Sequence, residues 1–169
     1  MSISLYQASV PVFKKMLVNL KAILAKAEAH ATAKKIEPSA LLTARLYPDM
    51  FALPRQVQIA SDSAKGACAR LAGQEPPKFE DNETTFAELG ERLDKTIAFL
   101  DTLQAAQIDG QEDRDIVLTP GGRTMQFKGL PFLLNWALPN FYFHVMTAYA
   151  ILRHNGVEIG KMDYLGSMQ

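Results

Sequence analysis

Apolar residues recur at helical spacing in four long stretches of the chain. In the first, Val12, Met16, Leu20 and Ile23 fall at i, i+4, i+8 and i+11, with Phe13, Leu17 and Leu24 beside them and lysines opposite. That pattern predicts an amphipathic helix from Ser9 to about Glu28. Pro11 cannot donate an amide there, so either Ser9 caps the helix with Pro11 in its first turn, or a longer helix beginning near Ser2 is kinked; the longer helix is slightly favoured. After Pro54, the residues Val57, Ala60, Ala64, Ala67 and Leu71 form a stripe of small and apolar side chains that Gly73 closes. Thr85-Phe86-Ala87-Glu88 has the spacing of a capping box. From there Phe86, Leu89, Leu93, Ile97, Leu100 and Leu103 carry a third helix to about Ala106, with Glu91, Arg92, Asp94 and Lys95 on its outer face. Apolar residues run again from Leu130 to Leu138, and Pro139 starts or kinks a last long helix that reaches Asn155, with Gly156 at its C-terminal turn.

Between these stretches the period changes. Ser39 caps a short helical segment, Ala40 to Leu46, that ends before Tyr47-Pro48 and belongs to a long connection between the first two long helices. Pro76-Pro77 marks a loop. Asp115 to Phe127 places two short β-prone runs around Pro120-Gly121-Gly122, which predicts a small hairpin. Neither flank of those glycines supplies the strand, glycine spacing or lysine of a phosphate loop. Val157 to Gln169 forms a tail expected to pack through Ile159, Met162, Tyr164 and Leu165. The elements add up to an all-α fold: one domain over residues 1–169, four antiparallel helices, a long helix 1–2 connection and a small β-hairpin before helix 4.

Composition narrows the function classes. A chain of 169 residues with 48% hydrophobic and 21% charged residues suits one globular core. Its 18 basic and 18 acidic residues cancel, so no electrostatic footprint points to nucleic acid or to an anionic membrane surface. The same balance favours self-association as a homodimer. Cys68 is the only cysteine, which excludes an internal disulfide and a multi-thiolate metal site and fits a reducing cytoplasm. No apolar run approaches the ~20 residues that cross a bilayer, and the first residues lack the charged-then-apolar order of a signal peptide.

The polar residues of the last long helix carry the candidate chemistry. Asn140, His144, Thr147, Ile151 and His154 follow i, i+4, i+7, i+11 and i+14, a narrow seam facing the core. His154 lies roughly 15 Å along the axis from His144, at ~1.5 Å per residue, so the two histidines cannot share one ion. His154 reads as a helix-terminal group beside exposed carbonyls. His144 alone reads either as a buried histidine bonded to a neighbouring helix or as a ligand-binding group. His30 reads as a surface residue.

The whole chain resembles the DinB/YfiT-like superfamily of four-helix bundles, and within it a domain-of-unknown-function family. The likeness rests on YPDMFALPRQVQIASDSAKGA in the second long helix and PNFYFHVMTAYAILRHNGVEIGKMDYLG in the fourth. Typical members carry His-x-x-x-His in helix four, followed by a run ending Leu-Arg-x-x-Gly. Here Asn140 stands at the first histidine position, His144 at the second, and Leu152 to Gly156 supplies the terminal run. A further superfamily histidine, from helix two, falls at Gln58, with Asp62 one turn later. The resemblance implies a divalent metal such as nickel or zinc in members with three histidines, and in some of them thiol transfer or hydrolysis. This chain departs at two of the three positions, and neutral amide oxygens are poor ligands for those ions. The expected site is therefore a degenerate metal site of His144, Asn140 and Gln58, with Asp62 nearby, lining a central pocket for a small polar ligand. The alternative is a metal-dependent hydrolase or thiol transferase of the same type.

Overall fold

The computed structural model describes residues 3–167. It is mainly helical, with one small two-stranded antiparallel sheet. The long helices are α1 (Val10–Lys34), α3 (Leu53–Leu71), α4 (Phe86–Asp101) and α7 (Leu138–His154). Short helices α2 (Pro38–Leu42), α5 (Ala105–Ile108), α6 (Gly129–Phe132) and α8 (Lys161–Leu165) decorate the connections. Strands β1 (Asp115–Leu118) and β2 (Met125–Lys128) pair with Asp115 opposite Lys128 and Leu118 opposite Met125.

The first helix starts where its proline requires no kink. Residues 5–9 form turns, Val10 begins α1 and Pro11 sits in the first turn, where its missing N–H has no intrahelical acceptor to lose. The longer, kinked helix is therefore not formed over the described residues, and its expected start at Ser2 lies outside them. Ser9 does not cap α1; its hydroxyl donates back to the Leu5 carbonyl at 2.7 Å. The helix also runs six residues beyond Glu28, to Lys34, because Ala27 and Ala31 continue the buried stripe. Thr85 and Glu88 form the expected capping box: the Glu88 amide donates to Thr85 Oγ1 at 3.1 Å and the Thr85 amide to Glu88 Oε2 at 2.9 Å. The helix it opens stops at Asp101, short of Ala106, and α5 is separate. Thr102 closes α4 by donating to the Phe99 carbonyl at 2.7 Å, and the Gln107 side chain accepts the Gln104 amide at the start of α5.

The last long helix is built differently from the expectation. Helical backbone starts at Gly129, ten residues before Pro139, and passes through a wide π-type turn over Leu133–Ala137. There the Leu138 amide donates to the Leu133 carbonyl, five residues back. Pro139 has no N–H to give the carbonyl four residues earlier, and a wide turn just ahead of it is one way to absorb that loss. The hairpin packs on this region: Phe127 contacts Phe132 and Trp136 with ring centroids 5.9 and 5.8 Å apart.

Side-chain pairs fix how the helices lie. Lys14–Asp101 and Lys21–Asp94 tie α1 to α4 in opposite directions. Ser61–Thr96 and Asp62–Arg92 do the same for α3 and α4, and Gln56–His144 and Ser63–Asn140 for α3 and α7. A buried cluster that includes Phe13, Leu17, Leu20, Val57, Ala64, Leu89, Leu93, Phe141 and Ile151 fills the centre, with the Phe13 ring edge-on to Phe141 at 4.8 Å. The tail packs through Val157 and Ile159, while Met162 and Leu165 are exposed and Tyr164 is half-buried against Tyr149. Ile159 and Tyr164 thus pack as expected, and Met162 and Leu165 do not. The α8 helix is tethered by polar contacts instead, Asn19 donating to the Tyr164 carbonyl at 2.9 Å and Lys26 pairing with Asp163 at 2.6 Å.

Candidate functional site

Helix α3 lies between α4 and α7, so it presents two interior faces. Residues two apart on a helix point roughly 200° apart, and the pair Gln56 and Gln58 shows the consequence. Gln56 faces α7, with Ser63 seven residues on. Gln58 faces α4, with Ser61, Asp62 and Lys65 following at three, four and seven.

On the α7 side the polar groups are neutral. His144 is 8% exposed, and its Nδ1 lies 2.7 Å from Gln56 Oε1. The Gln56 amide is oriented by its other end, since Nε2 donates to the Phe51 carbonyl at 3.0 Å. Its Oε1 can therefore only accept, and His144 Nδ1 is the donor. This assigns the Nδ1–H tautomer and leaves Nε2 with a free lone pair. Nε2 has no hydrogen-bond partner among the described residues and is not sealed from solvent. Burial pushes the imidazole below the ordinary histidine range, and the positive charge of Arg55 pushes it further the same way. Phe143 stands edge-on to the ring at 5.2 Å and is 56% exposed. One turn earlier Asn140 Nδ2 donates to Ser63 Oγ at 2.8 Å. The small cavity there, about 60 Å³, is lined by Asn140, Ser63, Asp62, Arg70 and Trp136 among others, and has room for water molecules but not for a metabolite. His144 is not part of its wall.

On the α4 side the groups are charged. Arg92 is 1% exposed. Its guanidinium donates to Asp62 Oδ1 at 2.8 Å, Glu83 Oε1 at 2.9 Å and the Glu80 carbonyl at 3.0 Å, and pairs with Asp81 at 2.9 Å. Lys65 Nζ, also buried, reaches Asp62 Oδ1 at 2.5 Å and lies 4.8 Å from the Phe79 ring centre. Gln58 joins this cluster: its Nε2 donates to Glu83 Oε2 at 2.9 Å and its Oε1 accepts from Arg55 at 3.2 Å. Arg55 also pairs with Asp81. Three carboxylates thus face Arg92, Lys65 and Arg55, a balanced set. Burial pushes the Glu83 carboxyl up, but hydrogen bonds from Arg92, its own backbone and Gln58, with the charge of Arg92, more than offset it and hold it below the ordinary carboxylate range.

Of the four residues singled out from sequence, Asn140 and His144 therefore share the α7 seam, while Gln58 and Asp62 belong to the Arg92 cluster. The group that meets His144 is Gln56, which sequence reasoning missed. The available signal was its place seven residues before Ser63, on the one face of α3 that can meet Asn140 and His144 together. Arg92 was assigned to a solvated outer face, and the structure corrects this. It lies three residues after Leu89 and four before Thr96, inside the buried stripe.

The donor set does not fit a nickel or zinc centre. His144 offers one nitrogen, Asn140 and Gln58 offer only neutral amide oxygens, and the Gln58 amide is engaged by Arg55 and Glu83. Among the described residues no three His, Cys, Asp or Glu side chains converge as a metal site would need. Cys68 is fully buried, and burial pushes its thiol far above the ordinary range, so it supplies no thiolate.

The family described as Domain of unknown function (DUF1993) matches residues 5–165. Among solved structures, the 1.83 Å crystal structure of a DinB family member protein from Shewanella denitrificans is similar with a TM-score of 0.91 and 48% sequence identity, covering 97% of this chain and 93% of that one. A search of curated proteins returned no match.

Proposed function

The chain belongs to the domain-of-unknown-function family DUF1993, a DinB-like family, and from that premise we propose that it binds a small polar ligand at the α3–α7 seam, with His144 as the recognition group. The observation that carries this reading is the hydrogen-bonded chain from His144 Nδ1–H to Gln56 to the Phe51 carbonyl. It fixes a neutral imidazole in one tautomer and leaves Nε2 as an acceptor reachable from solvent. The matching ligand group is a hydroxyl or N–H donor, with Arg55 close enough to favour a negative charge on the same molecule and Phe143 offering an apolar edge. The architecture assumed is a single-domain antiparallel four-helix bundle. Balanced charge, the lone thiol and the family likeness support a cytoplasmic homodimer.

The test is a metabolite screen read on the ¹⁵N resonances of the His144 ring. A binder should shift Nε2 more than Nδ1, and His144→Gln, which keeps the volume, should abolish binding while the protein stays folded. Binding that survives this change, or that leaves Nε2 unmoved, refutes the reading.

A metal-dependent hydrolase or thiol transferase of the DinB/YfiT type has one observation in its favour. A metal-bound histidine typically gives its second ring N–H to a fixed acceptor, as His144 gives Nδ1–H to Gln56. Elemental analysis of protein purified without an affinity tag or chelator decides between the two. A stoichiometric transition metal, or hydrolase or transferase activity on adding nickel, zinc or manganese, would replace the first reading with this one.

A further inference from the structure

We propose that the C-terminal end of α3, together with the chain leading into β1, forms a binding site for a small oxyanion, a carboxylate or phosphoryl group gripped by Arg70 and Arg114. This site is separate from His144, and the inference does not rest on the reading given for that residue.

Both arginines are seated on bare backbone. Gly66 lies in α3 and Gly73 just beyond its C-terminal end, and a Cβ at either would meet a guanidinium nitrogen: Arg70 Nη1 at 2.7 Å and Arg114 Nη1 at 2.5 Å. Gly73 also has φ +73°, a conformation that glycine adopts without strain. The absence of side chains at these two positions leaves room for the two guanidiniums.

The two guanidiniums line one open cavity of about 330 Å³, with Gly73, Gln74, Glu75 and the start of β1 completing its wall. Among the described residues neither arginine has a carboxylate within ion-pairing distance, unlike Arg55 and Arg92. Arg70 makes a single hydrogen bond, from Nη1 to the Gly66 carbonyl at 2.8 Å. Among the described residues Arg114 makes no side-chain hydrogen bond, and its Nε, like that of Arg92, is buried without a partner. A buried unpaired donor is rare in folded proteins.

The acidic groups around the cavity are accounted for. Asp115 pairs with Lys128 at 2.7 Å, and Glu75 acts on Arg70 through its charge without forming an ion pair. An anion placed between the arginines would take a forked contact from their terminal nitrogens, which guanidinium geometry favours. Glu75 would be the group it competes with.

The experiment follows arginine Nε–Hε resonances of ¹⁵N-labelled full-length protein during titration with inorganic phosphate or with acetate, ionic strength being held constant with chloride. A saturable shift of the Arg114 Nε–H is expected with at least one of them: phosphate alone assigns a phosphorylated ligand, acetate alone a carboxylate. Arg114→Gln and Arg70→Gln should each weaken the binding by about tenfold or more, and Glu75→Gln should tighten it. Should either arginine variant fail to fold, Gly66→Ala provides the second test, since it keeps every charge but displaces the Arg70 guanidinium and should weaken binding several-fold. No saturable shift with either anion, or equal binding in the variants, overturns the site.

Discussion

The two interior faces of α3 solve the burial of polar groups in opposite ways. Towards α4, Arg92 is surrounded by Asp62, Asp81, Glu83 and the Glu80 carbonyl, and the carboxylates are held in turn by Lys65, Arg55 and Gln58. Charge is matched by charge, and the guanidinium's terminal nitrogens are occupied by the protein, leaving only its buried Nε without a partner. Towards α7, His144 and Asn140 are held by one neutral partner each, and the imidazole keeps a lone pair that no described residue uses. The first arrangement fixes the loop at residues 79–83 against the helices. The second fixes a reactive group in orientation while leaving it available. Buried polarity by itself is therefore no sign of a functional site; what matters is whether the polar atoms are saturated.

The comparison can be broken hardest at Arg92. Replacing it with Met leaves Glu83 and Asp62 without their shared cation, and removing one partner of a buried ion pair costs about 3–5 kcal/mol. Because Asp62 and Asp81 are partly open to water, the lower end, ~3 kcal/mol by denaturant unfolding, is expected. Ligand binding at His144 should survive in the folded fraction. Gln56→Leu attacks the other face: it strands His144 Nδ1–H and the Phe51 carbonyl, with an expected loss of about 1–2 kcal/mol. Unlike Arg92→Met, it should also free the imidazole to change tautomer and so weaken ligand binding. A result in which Arg92→Met destroys binding while Gln56→Leu spares it would invert the assignment of roles.

Acid titration should sharpen the same contrast with a smaller effect. His144 has a folded-state pKa below its unfolded value, so the unfolded chain binds the proton more readily. The stability tied to its neutral form is complete above about pH 6.5 and is lost as the pH falls through the folded value. Glu83 is also depressed, so its contribution is complete above about pH 4.5 and is lost as acid protonates it in the folded state. Unfolding free energy measured against pH should fall in two steps. His144→Gln should remove the upper one and Glu83→Gln should reduce the lower, to which Glu88 and Asp163 also contribute.

Much of the fold was legible because it depends on periodicity. The stripe from Val57 to Leu71, the capping box at Thr85 and the hairpin around Gly121-Gly122 follow from local rules, and each forms within a few residues of its expected place. The start of the last helix was not legible. Pro139 looks like an origin, but the π-type turn before it carries helical backbone back to Gly129, and that choice depends on packing against the hairpin. The site was half legible for the same reason. Asn140 and His144 share a face by spacing alone, yet which glutamine of Arg55-Gln56-Val57-Gln58 meets them depends on how α3 is rotated between its neighbours. Arg92 was hidden because a charged residue on a helix is usually solvated, and its partners come from 9 to 30 residues away in sequence.

The protonation of the His144 ring, read from long-range ¹H–¹⁵N correlations at neutral pH, tests the central claim most directly. A neutral ring protonated on Nδ1, with an unprotonated Nε2 that shifts when ligand is added and a mixture of tautomers in Gln56→Leu, is the predicted result. A proton on Nε2, or a charged ring at pH 7, would contradict the account, because His144 would then have no free acceptor to offer.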